Sequence, residues 1–236
     1  GNPIYDWKYL KSSGYEWWTQ RIKAALKMYD IVRIDHFRAF DAFYTIDYGR
    51  KDAVIGEWLK GPGTDFFEIL KTRLGKDHAI IAEDLGTITD DVRALLKFSG
   101  FPGMKVMQFG FDPVSDSEYL PHNFVKNSVA YIGTHDNDTL IGWYNQESEN
   151  VKRFIDRYLR LNEKEGLTWG FINSLLASVS DIAIISMQDL LGLGSEARMN
   201  IPSTLGGNWQ WRMKSMERLT DDLKNRLKDS TSIYKR

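Results

Sequence analysis

Cysteine is absent from the 236-residue chain, so it can hold neither a disulfide nor a thiolate-bound metal, and a reducing, cytoplasmic setting is the default expectation. Nowhere do about 18 apolar residues run consecutively, the length a membrane-crossing helix needs. The first residues also carry no basic and hydrophobic leader, so no membrane partner is expected. Neither sign of charge prevails. With 31 basic and 32 acidic side chains, the chain lacks the basic footprint of a nucleic-acid binder. Fixed short repeats, low-complexity tracts and flexible linkers are missing as well. One domain is the prior for a chain long enough to bury a sizeable core. Aromatics are plentiful, 8 Trp, 11 Tyr and 12 Phe, which suits stacking on sugars and an ordinary core equally.

What is present is a strand and helix alternation. Gly1 to Leu10 reads as a turn-rich opening. Over Glu16 to Met28, Trp18, Ile22, Ala25 and Leu26 recur at three- and four-residue spacings and predict one apolar helix face. Tyr29-Asp30-Ile31-Val32 is a short β-branched run that reads as a buried strand. A long connection, Asp41 to Gly63, carries the breakers Gly61-Pro62-Gly63. Thr64 is placed to cap a helix that Gly75 stops. His78 to Asp84 reads as a second strand, and Thr89 caps the next helix, which Gly100 ends. Further strands are expected at Met104 to Phe111, Ser128 to Gly133 and Asp181 to Asp189. Helices are expected at Val151 to Leu161, at Thr168 to Val179 and after Thr220.

Five strands with continuous apolar cores, separated by helices, are the pattern of a parallel sheet covered on both faces. A doubly wound open sheet and an eight-stranded α/β barrel both fit. In either, functional residues gather at the carboxyl ends of strands. Asp35, Glu83 and the His135-Asp136 pair all follow strands.

Arg33-Ile34-Asp35-His36-Phe37-Arg38 stands out. Alternation along a strand puts Ile31, Arg33 and Asp35 on one face and Val32 and Ile34 on the other. The Arg33 and Asp35 pair reads either as a structural ion pair or as a device in which the guanidinium favours the charged carboxylate. Gly192-Leu193-Gly194-Ser195-Glu196-Ala197 matches a dinucleotide fingerprint, but Pro202 blocks the required helix and no strand remains beyond it. Asp136-Asn137-Asp138 lacks the glycine and distal glutamate of a calcium loop. No metal and no organic cofactor is expected.

Three carboxylates at strand ends suit glycoside cleavage with retention. That chemistry needs an ionised nucleophile and a protonated acid roughly 5 to 5.5 Å apart. Arg33 suits Asp35 for the first role. Glu83 has no cation beside it in the sequence, and nearby carboxylates would favour its protonated form, which suits the second. Asp136, with His135, could then grip the sugar hydroxyls. The bland alternative for Glu83 is a surface or capping carboxylate.

These segments resemble a family. Arg33 to Arg38, Ala82-Glu83-Asp84-Leu85-Gly86 and Gly133-Thr134-His135-Asp136-Asn137-Asp138-Thr139 are similar to the three catalytic segments of the 4-α-glucanotransferases, glycoside hydrolase family 77. Further matches are Gly1-Asn2-Pro3-Ile4-Tyr5, Gly61-Pro62-Gly63, Ala197-Arg198-Met199-Asn200 and Gly207-Asn208-Trp209-Gln210-Trp211-Arg212. The resemblance implies a (β/α)8 barrel of the α-amylase clan. It also implies transfer of α-1,4-glucan segments between malto-oligosaccharides, with hydrolysis as the alternative. It assigns Asp35 as nucleophile, Glu83 as acid/base and Asp136 as transition-state stabiliser. Arg33, His36, His135 and Asn200 are implied to line the donor-sugar site, and Phe109 is carried over on its position in Met107-Gln108-Phe109. Family members are longer, so residues 1–236 are expected to be the C-terminal portion of one catalytic barrel domain. That portion would have about five strand–helix units and an N-terminal half as its missing partner. Alone it would be a silent fragment or a sugar-binding module. The resemblance also allows a plastid location in a plant.

Overall fold

The computed structural model describes residues 2–75 and 79–236. Helices and strands alternate in a mixed α/β arrangement that divides into two compact units, Gly1–Met104 and Lys105–Arg236.

The first unit opens on a helix where the sequence suggested only turns. Asp6 accepts a hydrogen bond from Tyr9 N at 2.9 Å and starts α1, Trp7–Ser12. Helix α2 spans Glu16–Met28 as expected, with Ile22 buried. Strand β1, Val32–Ile34, begins later than the β-branched run predicted. Tyr29 and Ile31 are exposed, and nothing selects them for a buried ladder. The connection after β1 holds an antiparallel hairpin that was not foreseen, β2 (Ala42–Thr45) with β3 (Glu57–Lys60). Helix α3, Gly63–Leu74, starts at Pro62, so Thr64 lies inside it and does not cap it. Gly75 does end it, at φ 93°, where a side chain would be strained. Strand β4, Ile80–Ala82, pairs with β1 in parallel, with Val32 opposite Ile80 and Ile34 opposite Ala82. His78, expected to open this strand, lies outside the described residues. Thr89 accepts from Val92 N and caps α4, Asp90–Ser99, and Gly100 closes it at φ 76°.

The core beneath β1 and β4 is aromatic. Phe37, Phe40, Phe66 and Phe67 are buried together with Tyr15, Ile22 and Ile34. Phe40 stacks on Phe66 with centroids 5.0 Å apart, and Tyr15 meets Phe66 edge-on at 5.4 Å. Offset and edge-on rings at these separations are the favourable geometries for aromatic pairs.

Sheet order in the second unit is β5-β6-β7: β5 (Gly103–Val106, its last two residues opening the unit), β6 (Ser128–Tyr131) and β7 (Ile182–Ile184). Strands β6 and β7 are parallel, with Val129 opposite Ile182. All three strands are shorter than the apolar runs suggested, β6 ending at Tyr131. Met107–Phe109 turns as a 3-10 helix, and after Ile184 the hydroxyl of Ser186 accepts from Asp189 N and starts α8, Met187–Leu190. A cap at Thr139 also produces α5, Leu140–Gln146, which periodicity alone did not reveal. Helices α6 (Glu149–Leu159) and α7 (Gly166–Ala177) begin slightly earlier than expected, α6 because Ser148 is its cap. Thr220 caps α9, Asp221–Ile233, as predicted. Phe111, Ile132, Leu140, Ile155, Phe171 and Leu175 form this unit's core.

Phe66 is wholly buried and touches four aromatic neighbours of the first core through ring contacts at 5.0 to 5.8 Å. Phe66→Ala should therefore cost about 3–5 kcal/mol through lost burial and the cavity left behind. Urea unfolding would read this as a lower midpoint at unchanged slope. A loss below about 1 kcal/mol would show that the cluster collapses around the gap.

Candidate active site

In the first unit the parallel pairing of β1 with β4 decides where the carboxylates go. Ile34 is opposite Ala82, so the next residues, Asp35 and Glu83, leave neighbouring strands at the same carboxyl end, about 4.8 Å apart in strand spacing. The ladder continues through Glu83 N to Ile34 O and Phe37 N to Glu83 O, both 2.9 Å. His36 adopts the left-handed conformation at φ 51° and ψ 50°. Its N–H then donates to Glu83 Oε2 at 2.7 Å, while Leu85 N donates to Glu83 Oε1 at 2.9 Å. Both oxygens of Glu83 are thus held by main-chain donors.

Arg33 on β1 and Asp35, just past its end, are both exposed, with Ile34 between them turned into the core. Arg33 Nη2 donates to Asp35 Oδ1 at 2.7 Å. The Asp35 side chain is 76% exposed, so the pair is worth little to stability. Arg38 adds a brace: its Nη1 donates to Thr87 O at 2.7 Å, and its guanidinium lies 4.5 Å over the Trp58 ring. The hairpin is in this way tied to the loop that follows Glu83.

In the second unit a loop after β6 presents His135 and Asp136. Asn137 Oδ1 accepts from Thr134 N and from Thr134 Oγ1, both at 2.9 Å, which closes the loop on itself. Asn200 Nδ2 donates to Asp136 Oδ1 at 2.6 Å, and His135 Nε2 lies 3.4 Å from Asp136 Oδ2. The His135 ring packs on Trp209 at 5.0 Å. Trp209 is in the left-handed region at φ 64°, with its N–H bonded to Met199 O at 2.7 Å.

Of the residues singled out from sequence, Arg33, Asp35, His36 and Glu83 therefore form one cluster, and His135, Asp136 and Asn200 another. Phe109 stands apart. Its ring, 46% exposed, meets Tyr119 edge-on at 5.6 Å. Two residues were missed as site components. Arg198 donates to Asp136 O at 2.7 Å and to Asn200 O at 2.9 Å, and Trp209 backs His135. Both lie in segments whose likeness to the family was visible, yet only Asn200 was drawn from them. The glycine stretch at residues 192–197 opens no long helix: Ser195–Ala197 is a single 3-10 turn. A dinucleotide fingerprint requires a helix there.

The profile of glycoside hydrolase family 77, described as 4-alpha-glucanotransferase, matches residues 1–219. The chain belongs to this family. It is 50% identical over 237 residues to a 4-alpha-glucanotransferase of Clostridium butyricum, covering 100% of this chain and 48% of that protein. A 4-alpha-glucanotransferase of Streptococcus pneumoniae serotype 4 is 48% identical over 237 residues, covering 100% and 46%. Among solved structures, the amylomaltase of Streptococcus agalactiae in complex with acarbose superposes with a TM-score of 0.96 at 45% identity, covering 100% of this chain and 48% of that one. The chain thus spans about half the length of the relatives it matches. No described helix is long and apolar enough to cross a membrane.

One carboxyl in this family member's second unit is buried. Asp189, 2% exposed, accepts from Leu140 N at 2.7 Å. Burial pushes its pKa above the ordinary carboxylate value, and the nearby Asp138 adds to the rise, against the two hydrogen bonds from Leu140 and Ser186. A raised folded pKa means that the native state holds the proton more tightly than the unfolded chain. The cost of ionising Asp189 is absent below the ordinary value of about 4 and grows as pH rises towards the folded one. Asp189→Asn keeps an oxygen for Leu140 N and removes that cost. Its melting temperature relative to the parent should therefore be higher at pH 7.5 than at pH 4. An offset independent of pH would show that Asp189 contributes no such linkage.

Proposed function

We propose that this chain carries the catalytic carboxylates of a retaining 4-α-glucanotransferase and is the C-terminal part of a (β/α)8 barrel of the α-amylase clan. The observation that carries the reading is the paired emergence of Asp35 and Glu83 from adjacent parallel strands, with Glu83 Oε2 held by His36 N at 2.7 Å. Catalytic groups at the carboxyl ends of strands are the rule in barrel enzymes. Membership of the family supports the barrel and the substrate class.

In this reading Asp35 attacks the anomeric carbon of a bound glucan. Glu83 delivers a proton to the departing glycosidic oxygen, so that a covalent glucosyl-Asp35 ester forms and a shortened glucan leaves. Glu83, now ionised, takes the proton from the 4-hydroxyl of an incoming malto-oligosaccharide as that oxygen displaces Asp35. Asp136 stabilises the positive charge that develops on the sugar ring during both steps. Arg33 fixes Asp35, while His36, His135 and Asn200 contact the donor sugar; Phe109 is a further contact. The protein's own groups are sufficient for every proton and bond in this sequence, without a metal or organic cofactor.

Maltotriose is the discriminating substrate. The protein at its native length should yield glucose together with oligosaccharides longer than maltotriose. Glucose and maltose alone would instead identify a hydrolase of the same clan. Asp35→Ala should abolish turnover, because no ester can form. Glu83→Gln should slow formation of the ester with maltotriose by on the order of 10²–10⁴-fold, since no proton reaches the leaving oxygen. An Asp35→Ala protein with parental activity would remove the assignment.

A further inference from the structure

Asp136 is held by Asn200, and Asn200 lies 64 positions away in the chain. Something must therefore dock the segment of residues 192–200 onto the loop of residues 134–139. Arg198 supplies one clip through Asp136 O and Asn200 O. The second is a carboxylate to which the catalytic reading gives no part. Asp138 Oδ2 accepts from Ser195 Oγ at 2.7 Å and from Gln146 Nε2 at 3.0 Å. Its Oδ1 accepts from Thr139 N at 2.8 Å, and its carbonyl accepts from Gln108 Nε2 at 3.0 Å. One residue thus joins its own loop, helix α5, the 3-10 turn after β5 and the docked segment.

Two further features suit this node. A β-carbon on the buried Gly142 would collide with both Ser195 Oγ and Asp138 Oδ1, so glycine leaves the room in which Ser195 Oγ reaches Asp138 Oδ2. The carboxyl of Asp138 lies close enough to Asp189 to act on it electrostatically, and no cation takes part in the hydrogen bonds given for Asp138. A carboxylate kept among neutral donors beside another acid is a poor choice for stability by charge pairing. As a hydrogen-bond acceptor it is strong, because ionised acceptors make shorter and firmer bonds to hydroxyls.

We propose that Asp138, through Ser195, is a positioning residue for Asp136: it latches the 192–200 segment so that Asn200 stays on Asp136 Oδ1. The proposal rests on the reading of Asp136 as transition-state stabiliser. A displaced stabiliser weakens the transition state more than the bound ground state, so the latch should act on kcat and not on KM.

The test uses the protein at its native length with maltotriose, well below its melting temperature, and compares Asp138→Ala, Ser195→Ala, Asp136→Asn and the double variant Asp138→Ala with Asp136→Asn. Asp138→Ala and Ser195→Ala should each lower kcat on the order of 10-fold, with KM within about twofold. The double variant should be no slower than Asp136→Asn alone, because the latch works only through Asp136. Should Asp138→Ala fail to fold, the exposed Ser195 carries the same measurement. Parental kcat in a folded Ser195→Ala, losses confined to KM, or an additive double variant would each overturn the latch while leaving Asp136 in its role. An active Asp136→Asn protein would instead remove the underlying reading.

Discussion

The parallel pairing of β1 with β4 is the constraint on which the first cluster depends. Registering Ile34 against Ala82 sends Asp35 and Glu83 out at one end of two neighbouring strands, and no side-chain contact is needed to achieve it. The aromatic core below holds that register, since slipping a strand by one residue would turn Ile34 out and Arg33 in. His36 then does what few non-glycine residues do, taking the left-handed conformation at φ 51°. That backbone strain costs on the order of 1 kcal/mol, and it aims a main-chain N–H at the Glu83 carboxylate. Strain retained beside a candidate acid/base is the kind of local cost that a site keeps for geometry.

The second cluster is organised by other means. Asp136 lies in a loop after β6, and sheet register cannot reach it. Its orientation instead comes from side chains that arrive from residues 195–209, by hydrogen bonds from Asn200 and Arg198 and by the Trp209 ring behind His135. Such a network can be lost one bond at a time, whereas a strand register is lost all at once. This is why a distant hydroxyl such as that of Ser195 can matter to a carboxylate it never touches.

Much of this was legible in the residues because the signals are local. Thr89 and Thr220 as caps, Gly75 and Gly100 as stops, and the helix of residues 16–28 depend on neighbours within one turn. Failures came where the chain reached further or turned early. The hairpin β2–β3 joins Tyr44 to Trp58 across a long loop, and neither its half-buried first strand nor its exposed second one alternates cleanly. Met107–Phe109 is as apolar as the strand before it, so composition could not mark the point where the ladder ends. Trp209 on His135 and Asn200 on Asp136 are contacts between remote segments, which no periodicity encodes. The family likeness reached Asn200 where local patterns could not, and passed over Arg198 in the same tetrapeptide.

The hydrogen bonding of the three carboxylates also separates the roles proposed for them. Among the described residues, Asp35 is hydrogen-bonded by Arg33 through Oδ1 alone, and its side chain is largely exposed. That leaves Oδ2 open to attack an anomeric carbon while the guanidinium fixes the other oxygen. Asp136 has a partner beside each oxygen, Asn200 on one and His135 near the other. Such a group is held still, as an electrostatic stabiliser must be if it is to act without reorganising. Glu83 is the harder case, because main-chain N–H groups occupy both of its oxygens, yet an acid must carry a proton. Each carboxylate oxygen has two acceptor directions, so one N–H on each leaves a second direction free. A proton can sit there without breaking either main-chain bond. The same two bonds would then orient Glu83 identically in its protonated and ionised forms, which a residue that gives up a proton and later takes one back requires.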